Sequence, residues 1–201
     1  DAQARGQGWR LVGREVEVSV SVGRAEIRGR IDRVEESDDG GVRVETRTGA
    51  AYEGDAVVVT LPPTLAGRLE YDPPLPADRD QLTQRVPAGS VIKCYAVYDE
   101  PFWRAEGLNG QAASDQGPVK VVFDNSPPSG TPGILMGFFE GQEAREWGRR
   151  TPEERRAAAV GCFVRYFGER AASPREYLER DWSAEEFTRG CYGAHFGPGV
   201  W

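Results

Sequence analysis

Two short segments carry the residue types best suited to chemistry. The first is Pro87-Ala88-Gly89-Ser90-Val91-Ile92-Lys93-Cys94, which sets a lysine inside an apolar, strand-like run continued by Tyr95 and Val97. Such a lysine either carries its ammonium to solvent along its own methylenes or faces a group that needs an amine. The second is Gly190-Cys191-Tyr192-Gly193, close to the C-terminal residue. Glycine beside a cysteine lets another group approach the backbone closely, and the tyrosine adds a flat wall. Together the two segments describe one side of a slot for a planar ligand.

Other chemistries are poorly served. The three cysteines, Cys94, Cys162 and Cys191, form no CxxC pair, and His195 is the only histidine. Neither a disulfide framework nor a metal site is expected from that set. His195 follows Cys191 by four residues with no third group to orient it, so no nucleophile–base pair is credible. The carboxylate pairs Glu153/Glu154 and Glu185/Glu186 read as solvated helix ends.

The 201 residues are 39% hydrophobic and 28% charged, which fits a folded chain with one substantial core or two small lobes. A net charge of −7 argues against nucleic acid or an anionic membrane as the main partner. Lys93 and Lys120 are the only lysines in an arginine-rich chain, which draws further attention to Lys93. No apolar run is long enough for a membrane span and no secretory leader pattern is present, so a cytoplasmic location is the expectation. The chain opens at Asp1 and stops at Trp201, and a piece of a longer protein is expected.

The elements that must position these residues show in the periodicity. Residues 15–22 alternate Val16, Val18, Val20 and Val22 with polar neighbours, the pattern of a half-buried strand. Ala25 to Val34 and Val42 to Thr46, separated by Ser37-Asp38-Asp39-Gly40-Gly41, read as a hairpin, and Gly49 as a turn. Ala56-Val57-Val58-Val59-Thr60 predicts a strand buried on both faces. Prolines are dense over residues 62–76, which reads as a crossover, and 81–85 as a short helical piece. Strands are expected over 90–98, 119–123 and 134–139, in an antiparallel sheet. Thr151-Pro152-Glu153-Glu154 is a helix start with a capping box, Ala157, Val160, Val164 and Phe167 give its apolar face, and Gly168 its stop. Residues 174–180 predict a second short helix. Sheet followed by helices makes the expected fold class α+β.

From about Ala56 to Trp201 the chain resembles the flavin-containing amine oxidases, the family of the monoamine oxidases. The matching runs, in the family's order, are Val57-Val58-Val59-Thr60-Leu61-Pro62-Pro63, Tyr71-Asp72-Pro73-Pro74-Leu75-Pro76 and Gly89-Ser90-Val91-Ile92-Lys93-Cys94. They continue with Pro101-Phe102-Trp103, Met136-Gly137-Phe138, Asp181-Trp182 and Gly190-Cys191-Tyr192. The resemblance implies an FAD-binding domain interleaved with a substrate domain. Residues 1–75 would be a partial, β-rich FAD-domain piece, with 1–24 atypical. Residues 76–187 would be the later half of the substrate domain, an antiparallel sheet under helices, and 188–201 a return to the FAD domain. The family's Gly-rich phosphate-binding turn has only Gly6-Gln7-Gly8 as a counterpart, with Leu11 where a third glycine would fall. The chain alone is therefore not expected to hold FAD tightly.

The same resemblance implies roles for single residues. Lys93 would lie near the flavin N5 through a water, with burial lowering its pKa. Cys191 would contact the flavin, and some family members carry a thioether at the matching cysteine. Tyr192 would be one wall of an aromatic cage that guides the amine. Phe138 would line the substrate cavity, Trp182 would sit beside the flavin, and the backbone at Ile31 would meet the FAD adenine. Ordinary packing accounts for Phe138 and Trp182 equally well, while for Tyr192 and Cys191 the implied roles outweigh a core tyrosine and a buried free thiol. The implied reaction is oxidation of a primary amine by FAD and O2, with a homodimer possible in the full-length protein. A polyamine oxidase, an L-amino-acid oxidase and a truncated, non-catalytic binding module remain open.

Overall fold

The computed structural model describes residues 9–11, 16–22, 25–37, 41–46 and 49–199. They belong to two units, one drawn from residues 1–88 with 194–201 and the other from 89–193. The fold is α+β, as the periodicity predicts, with two sheets and several helices.

The first unit is built on strands β1 (Trp9–Leu11), β2 (Val16–Val22), β3 (Ala25–Ser37), β4 (Val42–Thr46) and β5 (Ala51–Gly54). β3 pairs antiparallel with β1, β2 and β4, and β4 pairs with β5. The alternating strand of residues 16–22 and the expected hairpin are thus present. The hairpin's turn residues 38–40, and Gly6-Gln7-Gly8, lie outside the described residues. Two helices, α1 (Pro63–Ala66) and α2 (Ala77–Arg85), flank the short strand β6 (Tyr71–Asp72), which pairs parallel with β3. α2 starts four residues before the expected 81, because Pro76 ends the extended stretch and Asp78 and Asp80 favour the positive end of a helix. A small apolar cluster forms where Leu69 packs with Val42, Val44, Leu61 and Tyr71.

One expectation fails here. Residues 56–60 form no strand and are exposed, with Val58 84% accessible. An apolar run becomes a doubly buried strand only when strands lie on both sides of it. None of the described strands pairs with this one.

The second unit is a five-stranded antiparallel sheet. It contains β7 (Val91–Tyr98), β8 (Ala112–Ala113), β9 (Val119–Asp124), β10 (Gly133–Glu140) and β11 (Glu176–Asp181), in the order β11-β7-β10-β9-β8. Three helices, α3 (Phe102–Ala105), α4 (Gly141–Trp147) and α5 (Pro152–Phe167), complete the unit. The Thr151 hydroxyl accepts from the Glu154 N–H and the Glu154 carboxylate accepts from the Thr151 N–H, the capping box that the residue types predict.

β10 alternates strictly: Gly133, Leu135, Gly137 and Phe139 are buried, while Ile134, Met136, Phe138 and Glu140 line the opposite face. The buried face packs with Ile92, Cys94, Val119 and Val122 against Ala159, Cys162, Phe163 and Phe167 of α5. That stripe differs from the expected one. Ala157 is exposed and Val160 and Val164 are only partly buried, because the sheet's contour selects the face with the largest ring. The contour has its notch at Gly137, where an added Cβ would lie 2.6 Å from Val119 Cγ1 and 3.1 Å from Phe163 Cε1.

A second correction concerns residues 174–180, expected as a helix and found as strand β11. It pairs with the free edge of β7, from Glu176 opposite Val97 to Asp181 opposite Ile92. Its inward residues Tyr177, Glu179 and Asp181 alternate with exposed ones. Arg155 of α5 closes an ion pair on Glu179, with both side chains at most 15% accessible. The Glu- and Arg-rich composition suits a surface helix, but the unpaired edge of β7 supplies backbone partners that composition does not report. Among the described residues no helix is long and apolar enough to cross a membrane.

Candidate active site

β7 carries Lys93 on the sheet face opposite α5. Its cross-strand partners are Phe138 of β10 and Arg180 of β11. The half-buried Lys93 Nζ lies 5.2 Å from the Tyr95 ring centroid and 5.6 Å from that of Phe138. Both are cation–π distances. Among the described residues no carboxylate pairs with this ammonium.

The Gly190–Gly193 turn returns to the entry of the same strand. Cys191 N–H donates to the Gly89 carbonyl at 2.9 Å, and Gly89 N–H donates to the Gly193 carbonyl at 3.1 Å. A Cβ on Gly89 would sit on the Cys191 carbonyl oxygen, so only glycine allows the two backbones to meet. The two segments singled out by their residue types therefore share one neighbourhood.

Tyr192 projects from this turn and meets Phe138 edge to face, with centroids 6.2 Å apart and planes at 79°. Phe123 packs on Phe138 in the same manner, also at 6.2 Å. The Tyr192 hydroxyl donates to Glu140 Oε1. That carboxylate is the main reason the phenol is held above its ordinary pKa. Burial pushes the Cys191 thiol up, and the nearby Lys93 charge opposes the shift. Cys191 is half-buried and unpaired, whereas Cys94 is fully buried, with its thiol donating to the Gly137 carbonyl and pushed up to about 12 by burial.

Trp182 continues β11 by one residue, its N–H donating to the Val91 carbonyl at 3.1 Å. Its indole Nε1 is buried and has no acceptor among the described residues. Ile31 belongs to the other unit. It is a residue of β3, opposite Val16 and Thr46, and its side chain lies outside the described residues.

Five of the six expected residues, Lys93, Phe138, Trp182, Cys191 and Tyr192, thus belong to one unit. Sequence reasoning missed Tyr95, Phe123 and Glu140. Tyr95 and Glu140 each follow a named residue by two positions on a strand, so period-two alternation already placed them on its face. Phe123 required the β9–β10 register, which sets it opposite Met136.

The family model for flavin containing amine oxidoreductases matches residues 20–201. This chain belongs to that family. A probable flavin-containing monoamine oxidase A from Dictyostelium discoideum is 45% identical over 157 residues, 78% of this chain and 34% of the relative. An L-amino acid dehydrogenase from Synechocystis is 42% identical, over 82% of this chain and 35% of the relative. Among solved structures, wild-type putrescine oxidase bound to putrescine superposes with a TM-score of 0.74 at 36% identity, covering 83% of this chain and 37% of the other. The chain therefore spans about a third of the length of these relatives.

Proposed function

We propose that this chain forms the amine-facing part of an FAD-dependent amine oxidase, which converts a primary amine to an imine, and so to an aldehyde, as O2 is reduced to H2O2. The observation that carries this reading is the convergence of Lys93, Phe138, Cys191 and Tyr192 around the entry of β7. In the domain terms of the family, residues 1–75 and 188–201 contribute to the FAD domain and 76–187 to the substrate domain.

The residues suit a flat heteroaromatic group. A buried N–H without an acceptor costs about 1–3 kcal/mol. The Trp182 indole stands in that state, and a ring carbonyl or nitrogen of the cofactor would relieve it. Cys191 and the backbone at Gly89 would lie against the same group. FAD, when bound, supplies the acceptor for two electrons and the hydrogen leaving the carbon next to the amine nitrogen.

The remaining work belongs to this chain's side chains. Phe138 and Tyr192 present ring edges and faces that orient the amine and exclude water from it. Lys93 offers an N–H donor that positions the water that hydrolyses the imine; the water's oxygen goes to the aldehyde and its protons go to the departing amine. The Tyr95 and Phe138 rings flank the lysine head and keep it in place.

A second reading, oxidation of an L-amino acid, is favoured by the dehydrogenase relative. It calls for an arginine free to clamp a carboxylate. Arg180, the cross-strand neighbour of Lys93, is paired with Glu185 at 2.7 Å in an exposed contact and is the arginine such a reading would test first.

The test is to purify the full-length protein that carries this segment, record flavin absorption, and measure H2O2 release with benzylamine, putrescine and L-leucine. Lys93→Met is expected to slow turnover of the preferred amine by roughly a hundredfold or more while the flavin spectrum persists. An unchanged rate would remove Lys93 from the mechanism, and a colourless wild-type protein would end the flavin reading.

A further inference from the structure

Tyr192 is 73% accessible, so packing alone does not hold its ring. It is held at two points. One is the edge-to-face contact with Phe138, and the other is the bond from its hydroxyl to Glu140. Glu140 ends β10, two positions beyond Phe138, and so shares its face. Glu140 makes no ion pair among the described residues, which leaves its charge to the phenol. A hydrogen bond to a carboxylate is shorter and roughly twice as strong as one between neutral groups. It also fixes where the hydroxyl end of an otherwise exposed ring lies.

We propose that Glu140 is a positioning residue: its carboxylate sets the angle of the Tyr192 ring against Phe138 and thereby the width of the slot that admits the amine. The inference rests on the reading of Tyr192 as a wall of that slot. The two contacts come from alternate residues of a single strand, so the ring is referenced to the strand whose Phe138 lies opposite Lys93. The titratable groups acting on the phenol are Glu140 and Cys191, and Lys93 Nζ lies 5.6 Å from the centroid of the Phe138 ring that Tyr192 meets. Of these, Glu140 dominates.

The experiment uses the full-length protein labelled with 3-fluorotyrosine, with the Tyr192 signal assigned by its loss in Tyr192→Phe. In Glu140→Ala the Tyr192 fluorine resonance is expected to move and its titration to fall toward that of an ordinary phenol. Glu140→Gln keeps an acceptor without the charge and is expected to fall between the two. A signal that moves in neither variant overturns the proposal.

Steady-state kinetics with benzylamine supply the second arm. Glu140→Ala and Tyr192→Phe are each expected to lower kcat/KM by roughly threefold to tenfold, mostly through KM, with the double variant no worse than either single. Fully additive losses overturn the coupling. If the fluorine signal responds to Glu140→Ala while Tyr192→Ala keeps full kcat/KM, the slot reading of Tyr192 fails. Glu140 is then a tether with no part in amine recognition.

Discussion

At the scale of single residues, the second unit holds several of its charged side chains in defined hydrogen-bonded pairs. Asp124 is the clearest case. Its Oδ2 accepts from Trp103 Nε1 at 2.9 Å and Arg104 Nε at 2.8 Å, and its Oδ1 from the Ser126 N–H at 2.8 Å. Burial pushes its pKa up, but the bonds from Ser126, Trp103 and Arg104 together outweigh burial and hold it below the usual carboxylate range. A depressed folded-state pKa contributes stability above the unfolded value, near 3.9, that is lost as pH falls through the folded value. Asp124→Asn should therefore flatten the fall in thermal stability below about pH 4 and lower stability at neutral pH. Melting curves from pH 2.5 to 7 check both, and parallel curves for the two proteins would refute the assignment. Trp103 closes a matched family motif and Arg104 follows it, yet nothing in the sequence pairs them with Asp124. That bond spans about twenty residues and exists only because α3 and the end of β9 meet.

At the scale of elements, close packing of α5 on the sheet depends on the absence of a side chain at Gly137. Gly137→Ala would drive a methyl into Val119 and Phe163, both fully buried. Overpacking a tight core costs about 1–3 kcal/mol. The expected outcome is a loss of that size in chemical denaturation, with Phe163→Leu in the same chain recovering part of it. A neutral Gly137→Ala would mean that the helix can shift outward. The capping box at Thr151 and the strand alternation of β10 were readable because each depends on residues a few positions apart. The buried stripe of α5 was misread because Cys162 and Phe163 compete with Val160 and Val164 for one face. Phe163 wins that competition only because Gly137 opens a space for it.

At the scale of the whole molecule, Val57, Val58 and Val59 stand 39%, 84% and 37% accessible in the first unit. Exposed contiguous apolar residues promote association and bind hydrophobic dyes. The 201-residue chain is expected to sediment with a concentration-dependent mass, and Val58→Asp to reduce that dependence without lowering the melting temperature by more than a degree or two. Identical sedimentation of the two would show that the run is not sticky. The family itself was legible, since seven short motifs keep their order from residue 57 to residue 192. So were the strand–lysine–glycine design of the β7 entry, the antiparallel character of its sheet and the start of α5. Each is written in residue types with a period of two or about four along a continuous stretch. Tertiary structure alone decided that residues 176–181 are a strand, that the run at 56–60 stays exposed, and that Glu140 holds the hydroxyl of Tyr192, fifty-two residues further on. Hydrogen-bond donors at a sheet edge, neighbours for an apolar run and a partner for a phenol come from remote parts of the chain, and local periodicity carries no information about them.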